Sequence, residues 1–125
     1  MKKAFFVATV FATVIVTACV SVAQYSPESD FAFTVIDNGK AVEITLYIGN
    51  ATDVRIPERI QKLPVTMLGK DAFAKRRLTS VSIPDSVTHI DEWAFLVNKL
   101  TSVSIPSGAD VHPEAFDPEV EVTRR

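Results

Sequence analysis

The sequence spells Leu-Thr-Ser-Val-Ser-Ile-Pro twice, at Leu78 to Pro84 and again at Leu100 to Pro106. Seven identical residues repeated within one short chain confine it to architectures that stack like units, because self-similarity at a period of roughly 20–50 residues marks solenoids and arrays. Three segments fall into phase on this repeat, beginning at Ala51, Leu78 and Leu100. Their anchors are Val54, Val81 and Val103, then Ile56, Ile83 and Ile105, each isoleucine followed by proline. Further along come Phe73, Phe95 and Phe116, each preceded by alanine and spaced 22 and then 21 residues apart. The first unit is longer, and its extra residues fall in Glu58 to Pro64, where a longer connection is expected.

Inside each unit the Val-x-Ile positions alternate with polar ones, the period of a strand with one buried face. Val81 and Ile83 then point one way, and Ser80 and Ser82 the other. The proline that follows cannot extend a central ladder, so each strand stops there. A shorter apolar pair comes next (Val65/Leu68, Val87/Ile90), and the Ala-Phe closes the coil. One such coil hides too little apolar surface to offset the entropy of ordering it, so each unit needs its neighbour. The predicted fold is mainly β: a short solenoid with a parallel sheet on one face and short helical or 3-10 turns at the Ala-Phe corners. Asp37-Asn38-Gly39, between two strand-like runs, is a strong hairpin signal. This hairpin is the expected N-terminal cap, over residues 24–50, with repeats over 51–118 and a terminal strand and tail over 119–125. In that last strand Val120 and Val122 are expected to face inward. Its free edge is a candidate self-association site.

These units resemble the BspA-like, or treponemal-type, leucine-rich repeat. A typical unit of that family reads much like Leu78 to Phe95, and its opening unit often holds a Leu-Pro-Val-Thr stretch like Leu63 to Thr66. The resemblance covers about Ala51 to Phe116. It implies a leucine-rich-repeat solenoid, an extracytoplasmic location and roles in adhesion or protein recognition. The family's usual glycine is kept at Gly69 but replaced by Asp91 and His112, which predicts a tighter or differently hydrogen-bonded return turn in the later units.

The first 23 residues read as a secretory signal: a basic start, a long apolar run and small residues at its end. Ser21 and Ala23 suit ordinary cleavage before Gln24. Val16 to Cys19 reads instead as a lipobox, with Cys19 as the lipidation site. An uncleaved anchor is the third alternative, since about twenty apolar residues can span a bilayer. In every case the domain lies outside a bacterial cytoplasm, in the periplasm, secreted or anchored to the envelope. Cys19 is the only cysteine, so neither an internal disulfide nor a cysteine-based metal site can form.

A net charge of −2 argues against a nucleic-acid binder, which shows a basic stripe. No catalytic group, cofactor motif or phosphate loop converges on the repeat. His89 aligns with Met67 and Asp110, and His112 with Asp91, so they occupy different places on their coils and no metal site is expected. Two surfaces remain. The outward row of the sheet is Asp53 and Arg55, Ser80 and Ser82, Ser102 and Ser104, then Glu119 and Glu121. The other is a corner: Trp93, Leu96 and Val97 put large apolar groups where neighbouring units carry small or charged ones. The expected function is non-catalytic protein–protein interaction at the bacterial envelope, with host attachment as the family's suggestion. The alternatives are self-assembly, as a homo-oligomer, through the corner or the C-terminal strand edge, and carriage of an apolar ligand. A membrane enters only through a lipid anchor at Cys19.

Overall fold

The computed structural model describes Tyr25 to Arg125. The leader and Cys19 lie outside the described residues. The chain forms β1 (Phe31–Ile36), β2 (Ala41–Tyr47), β3 (Asp53–Arg55), β4 (Arg59–Ile60), β5 (Leu63–Leu68), β6 (Ser80–Ser82), β7 (His89–Ile90), β8 (Ser102–Ile105), β9 (Asp110–Val111) and β10 (Glu121–Arg124). Single 3-10 turns occupy Glu28–Asp30 and Asp37–Gly39. The Ala-Phe corners close as individual hydrogen-bonded turns without helix, as in Ala94 N–H to Asp91 O. Asp71 and Trp93, just before the Ala-Phe pairs, have φ of 61° and 63°, a left-handed backbone from which a right-handed helix cannot continue.

Parallel pairing runs along two sides of the solenoid, as two separate two-stranded ladders on one side and one continuous ladder on the other. The first side carries the Val-x-Ile segments: β3 pairs β6, setting Val54 beside Val81, and β8 pairs β10, setting Val103 beside Val122. The other carries the return segments in the order β2-β5-β7-β9. The apolar pairs read only as a return thus form a second sheet face. β1 pairs antiparallel with β2 and covers the N-terminal edge of that ladder. The loop that joins them holds Asp37, Asn38 and Gly39 at φ of 52°, 55° and 86°. Asparagine and glycine tolerate that region best, which is why this tripeptide turns the chain. The extra residues of the first unit form a tight hairpin, β4 against β5, with Gln61 and Lys62 both at positive φ.

Between the ladders lies an apolar core whose axis is a column of rings. Tyr47 stacks on Phe73 at 5.7 Å, Phe73 on Phe95 at 4.8 Å, and Phe95 on Phe116 at 5.1 Å. Backbone bonds repeat with the rings: Tyr47 N–H donates to Ala72 O, Phe73 N–H to Ala94 O and Phe95 N–H to Ala115 O, at 2.7–2.8 Å. Tyr47, at the end of β2, therefore takes the place of the repeat phenylalanine, and the capping hairpin supplies a rung of its own. Its hydroxyl, closed into the core, accepts from Ala51 N–H and donates to Ala51 O.

The return turns keep the same backbone bond in all three units and differ only in added side-chain bonds. Gly69, Asp91 and His112 each donate their N–H to the preceding rung, to Ile44, Leu68 and Ile90, at 2.9–3.0 Å. Only at the first does the absence of a side chain leave room for a neighbouring one. A Cβ on Gly69 would lie 2.5 Å from the Glu43 carboxylate, which lies across this rung. Asp91 and His112 add bonds of their own, accepting the N–H of Glu92 and of Glu114.

Candidate interaction surfaces

On the outer face of the Val-x-Ile ladder the pairing sets two columns. Asp53 lies beside Ser80, and Ser102 beside Glu121; Arg55 lies beside Ser82, and Ser104 beside Thr123. Ser80 donates its hydroxyl to the Asp53 carboxylate at 2.6 Å. Glu119 is not part of this face. The third corner is shorter, so Glu119 falls before β10 and Thr123 completes the row. Val122 keeps register with Val103 yet is 42% exposed, because no described strand lies beyond it; Val120 does pack against the core.

The side chains are small along most of this face and large at one end. There a groove of about 210 Å³ is lined by Tyr25, Arg55, Ser82, Asp85 and Arg125, among others. Tyr25 is 54% exposed. The segment before the first 3-10 turn brings it there: Ser26 N–H donates to Arg55 O, and Arg55 N–H to the Ser26 hydroxyl. Arg125 crosses from the tail over two rungs. Its guanidinium donates to Asp85, to the carbonyls of Ile83 and Ser104, and to the Ser104 hydroxyl. Tyrosine and arginine are residue types that carry binding energy at interfaces. Sequence reading found only Arg55, because Tyr25 and Arg125 lie far from the repeat and nothing in the period points to them.

At the corner, Val97 is exposed while Trp93 and Leu96 are half-buried. Lys70 Nζ sits 4.5 Å over the indole of Trp93 and also pairs with Glu92 at 3.1 Å. The corner is tied to the next rung by Asp117, whose carboxylate accepts the N–H groups of Val97 and Asn98 at 2.9 and 3.0 Å. Val97 holds φ at 59°, a region costly for a β-branched residue. On the return face His89, Asp91, Asp110 and His112 line one groove with Met67, so the two histidines are diagonal neighbours on adjacent rungs. Each uses its Nδ1 locally, His89 with the Thr88 hydroxyl and His112 with Glu114 N–H.

A sequence model that describes the BspA type leucine rich repeat region as six copies matches residues 46–119 of this chain. That span is more than half of the chain and begins beside Tyr47, where the ring column begins. The chain belongs to the BspA-type leucine-rich repeat family. The fold is similar to that in the crystal structure of a leucine rich repeat protein of T. pallidum, with a TM-score of 0.51 at 17% identity. The match covers 70% of this chain and 64% of that one, and at this identity it shows a common fold alone. No curated protein matches this chain. BspA-type repeats serve protein–protein interaction, are typically non-enzymatic and are typically found on surfaces or secreted.

Proposed function

We propose that this chain is an extracytoplasmic recognition module, exported by its N-terminal 23 residues, that binds a protein partner across its Val-x-Ile face. The observation that carries this reading is the groove in which Tyr25 and Arg55 stand beside the serine columns. The columns give a flat, hydrogen-bonding floor, and the groove gives an aromatic and a cationic anchor at its edge. The export reading rests on the basic start and apolar run of the leader. Cys19 is the lipid attachment point if the lipobox is the one used, and a host protein is the partner that the family's adhesive members suggest. The carrier reading has less support: four grooves among the described residues are each lined by charged side chains, an unsuitable bed for an apolar ligand.

A photo-crosslinker at Ser82, compared with one at Thr88 on the return face, tests the reading on intact cells and host extracts. The expected result is a discrete adduct from Ser82 alone. Affinity for the identified partner is then expected to fall at least tenfold with Tyr25→Ala or Arg55→Ala. An adduct from Thr88 alone, or an affinity unchanged by both substitutions, overturns the choice of face.

A further inference from the structure

The corner edge of the solenoid changes character rung by rung. The first corner is basic on balance: Lys75 and Arg77 are exposed and Arg76 half-buried, against one exposed acid, Asp71. The second presents apolar groups, Trp93, Leu96 and the exposed Val97, with the exposed Lys99 at its end. The third is acidic: Glu114 and Glu119 are exposed and Asp117 half-buried, with no cation among them. Neighbouring strands lie about 4.8 Å apart, so the basic and acidic corners flank the apolar one at about 5 Å on either side.

We propose that this edge is a self-complementary interface through which two copies of the chain pair about a two-fold axis. An axis through the second corner reverses the order of the corners in the partner. Apolar then meets apolar, and each basic corner faces the other copy's acidic corner. Such an isologous contact needs one patch that complements itself under rotation, and a basic–apolar–acidic sequence does so. A parallel arrangement would set like charge on like charge, so the same charges that favour the two-fold pair exclude the shifted one. The geometry of Val97 accords with this. The equivalent position in the first rung, Lys75, has nearly the same φ of 57° and carries a charge. A soluble corner is therefore available to this backbone, yet the middle rung keeps an exposed β-branched residue in an unfavourable conformation. This surface is separate from the Val-x-Ile face, and its pairing stands or falls independently of partner binding there.

The test is the solution mass of the protein, expressed from its full sequence and purified as the cell processes it, by light scattering across ionic strength. The expected mass is twice that of the chain at low salt, falling toward the monomer as salt screens the charges. Val97→Lys is expected to give a folded monomer, since the first rung already holds lysine in that conformation. The double variant Lys75→Glu/Arg77→Glu is also expected to be monomeric. Adding Glu114→Lys and Glu119→Lys to that variant restores opposite charge at both ends and is expected to restore the dimer. A native monomer at every salt concentration overturns the proposal. So does a dimer that survives the one-sided reversal, or a four-residue reversal that does not recover it. Binding of a monomeric native protein to phosphatidylglycerol vesicles, lost in the basic-corner variant, would assign the edge to an anionic bilayer instead.

Discussion

The carboxamide oxygen of Asn98 accepts the N–H of Leu78 at 3.0 Å, and through it the second rung holds the corner of the first. The same oxygen takes Arg76 N–H, while the amide nitrogen donates to the carbonyls of Phe73 and Phe95 at 2.9 Å. One side chain thus satisfies four backbone groups at a bend where neither ladder reaches. Asp117 does the corresponding work one rung later, on Val97 and Asn98.

Replacing Asn98 by alanine leaves those groups without partners in a half-buried corner. The expected loss is roughly 2–4 kcal/mol in urea unfolding, since each orphaned buried group costs about 1–3 kcal/mol and water reaches some of them. Asn98→Asp retains the acceptor but turns the donating nitrogen into a carboxylate oxygen facing the carbonyls of Phe73 and Phe95, so a loss at least as large as that of alanine is expected. A loss under about 0.5 kcal/mol for the alanine variant, the level of an ordinary surface substitution, would contradict the staple.

Relieving the backbone at Val97 is expected to stabilise the fold. Asparagine accepts positive φ far better than valine, so Val97→Asn is predicted to raise the unfolding free energy by about 1 kcal/mol. The comparison belongs at high salt, where association through the corner does not enter. Unchanged or lower stability would show that the strain is not carried at this residue.

Tyr47 ties the cap to pH. Burial pushes its phenol above the ordinary tyrosine value; the hydrogen bond with Ala51 opposes the rise and the nearby Asp30 carboxylate adds to it. A raised folded pKa means that the protonated phenol is favoured in the native state. Its contribution is present below about pH 10, the unfolded value, and is lost as pH climbs through the folded one. Thermal unfolding followed across this range should show stability falling above about pH 10, and Tyr47→Phe should remove part of that fall. Equal slopes in the two proteins would sink the assignment.

The ring column makes its two inner members, Phe73 and Phe95, the most sensitive to truncation, because each has a stacked partner on both sides. Phe95→Ala is expected to cost about 3–5 kcal/mol, and Phe95→Leu less. If Phe95→Ala were tolerated within about 1 kcal/mol in denaturant unfolding, the column would not be the core of the molecule.

The repeated positions could be read from the sequence because each appears three times. Val54, Val81 and Val103, the prolines and the phenylalanines announce rungs, and Asp37-Asn38-Gly39 announces its hairpin. Residues that act once have no such signal. Asn98 occupies a corner position held elsewhere by Arg76 and Glu119, and no period says that it reaches back to Leu78. The Gln61–Lys62 turn was hidden because neither residue is a usual choice for positive φ. β7 and β9 are two residues each, too short to display an alternation, though together with β5 they make a full ladder. Glu119 was misplaced by carrying the spacing of earlier units into a shorter corner. Of the surfaces, the serine columns and the Trp93 corner follow from alternation and from comparison between units. The approach of Tyr25 and Arg125 to Arg55 is a matter of tertiary folding, which spacing cannot disclose.

The ring column also bears on how such a chain comes by its length. The junction between Phe73 and Phe95 is the same as that between Phe95 and Phe116: one ring over another, one N–H given to an alanine carbonyl in the following rung. A copied segment running from Leu78 to Lys99, inserted after Lys99, would meet both neighbours as they already meet each other, with the hairpin untouched. The number of rungs is therefore a quantity that can change in whole steps while the ring stacking and its backbone bond stay the same, with only the corner between the two copies to be joined anew.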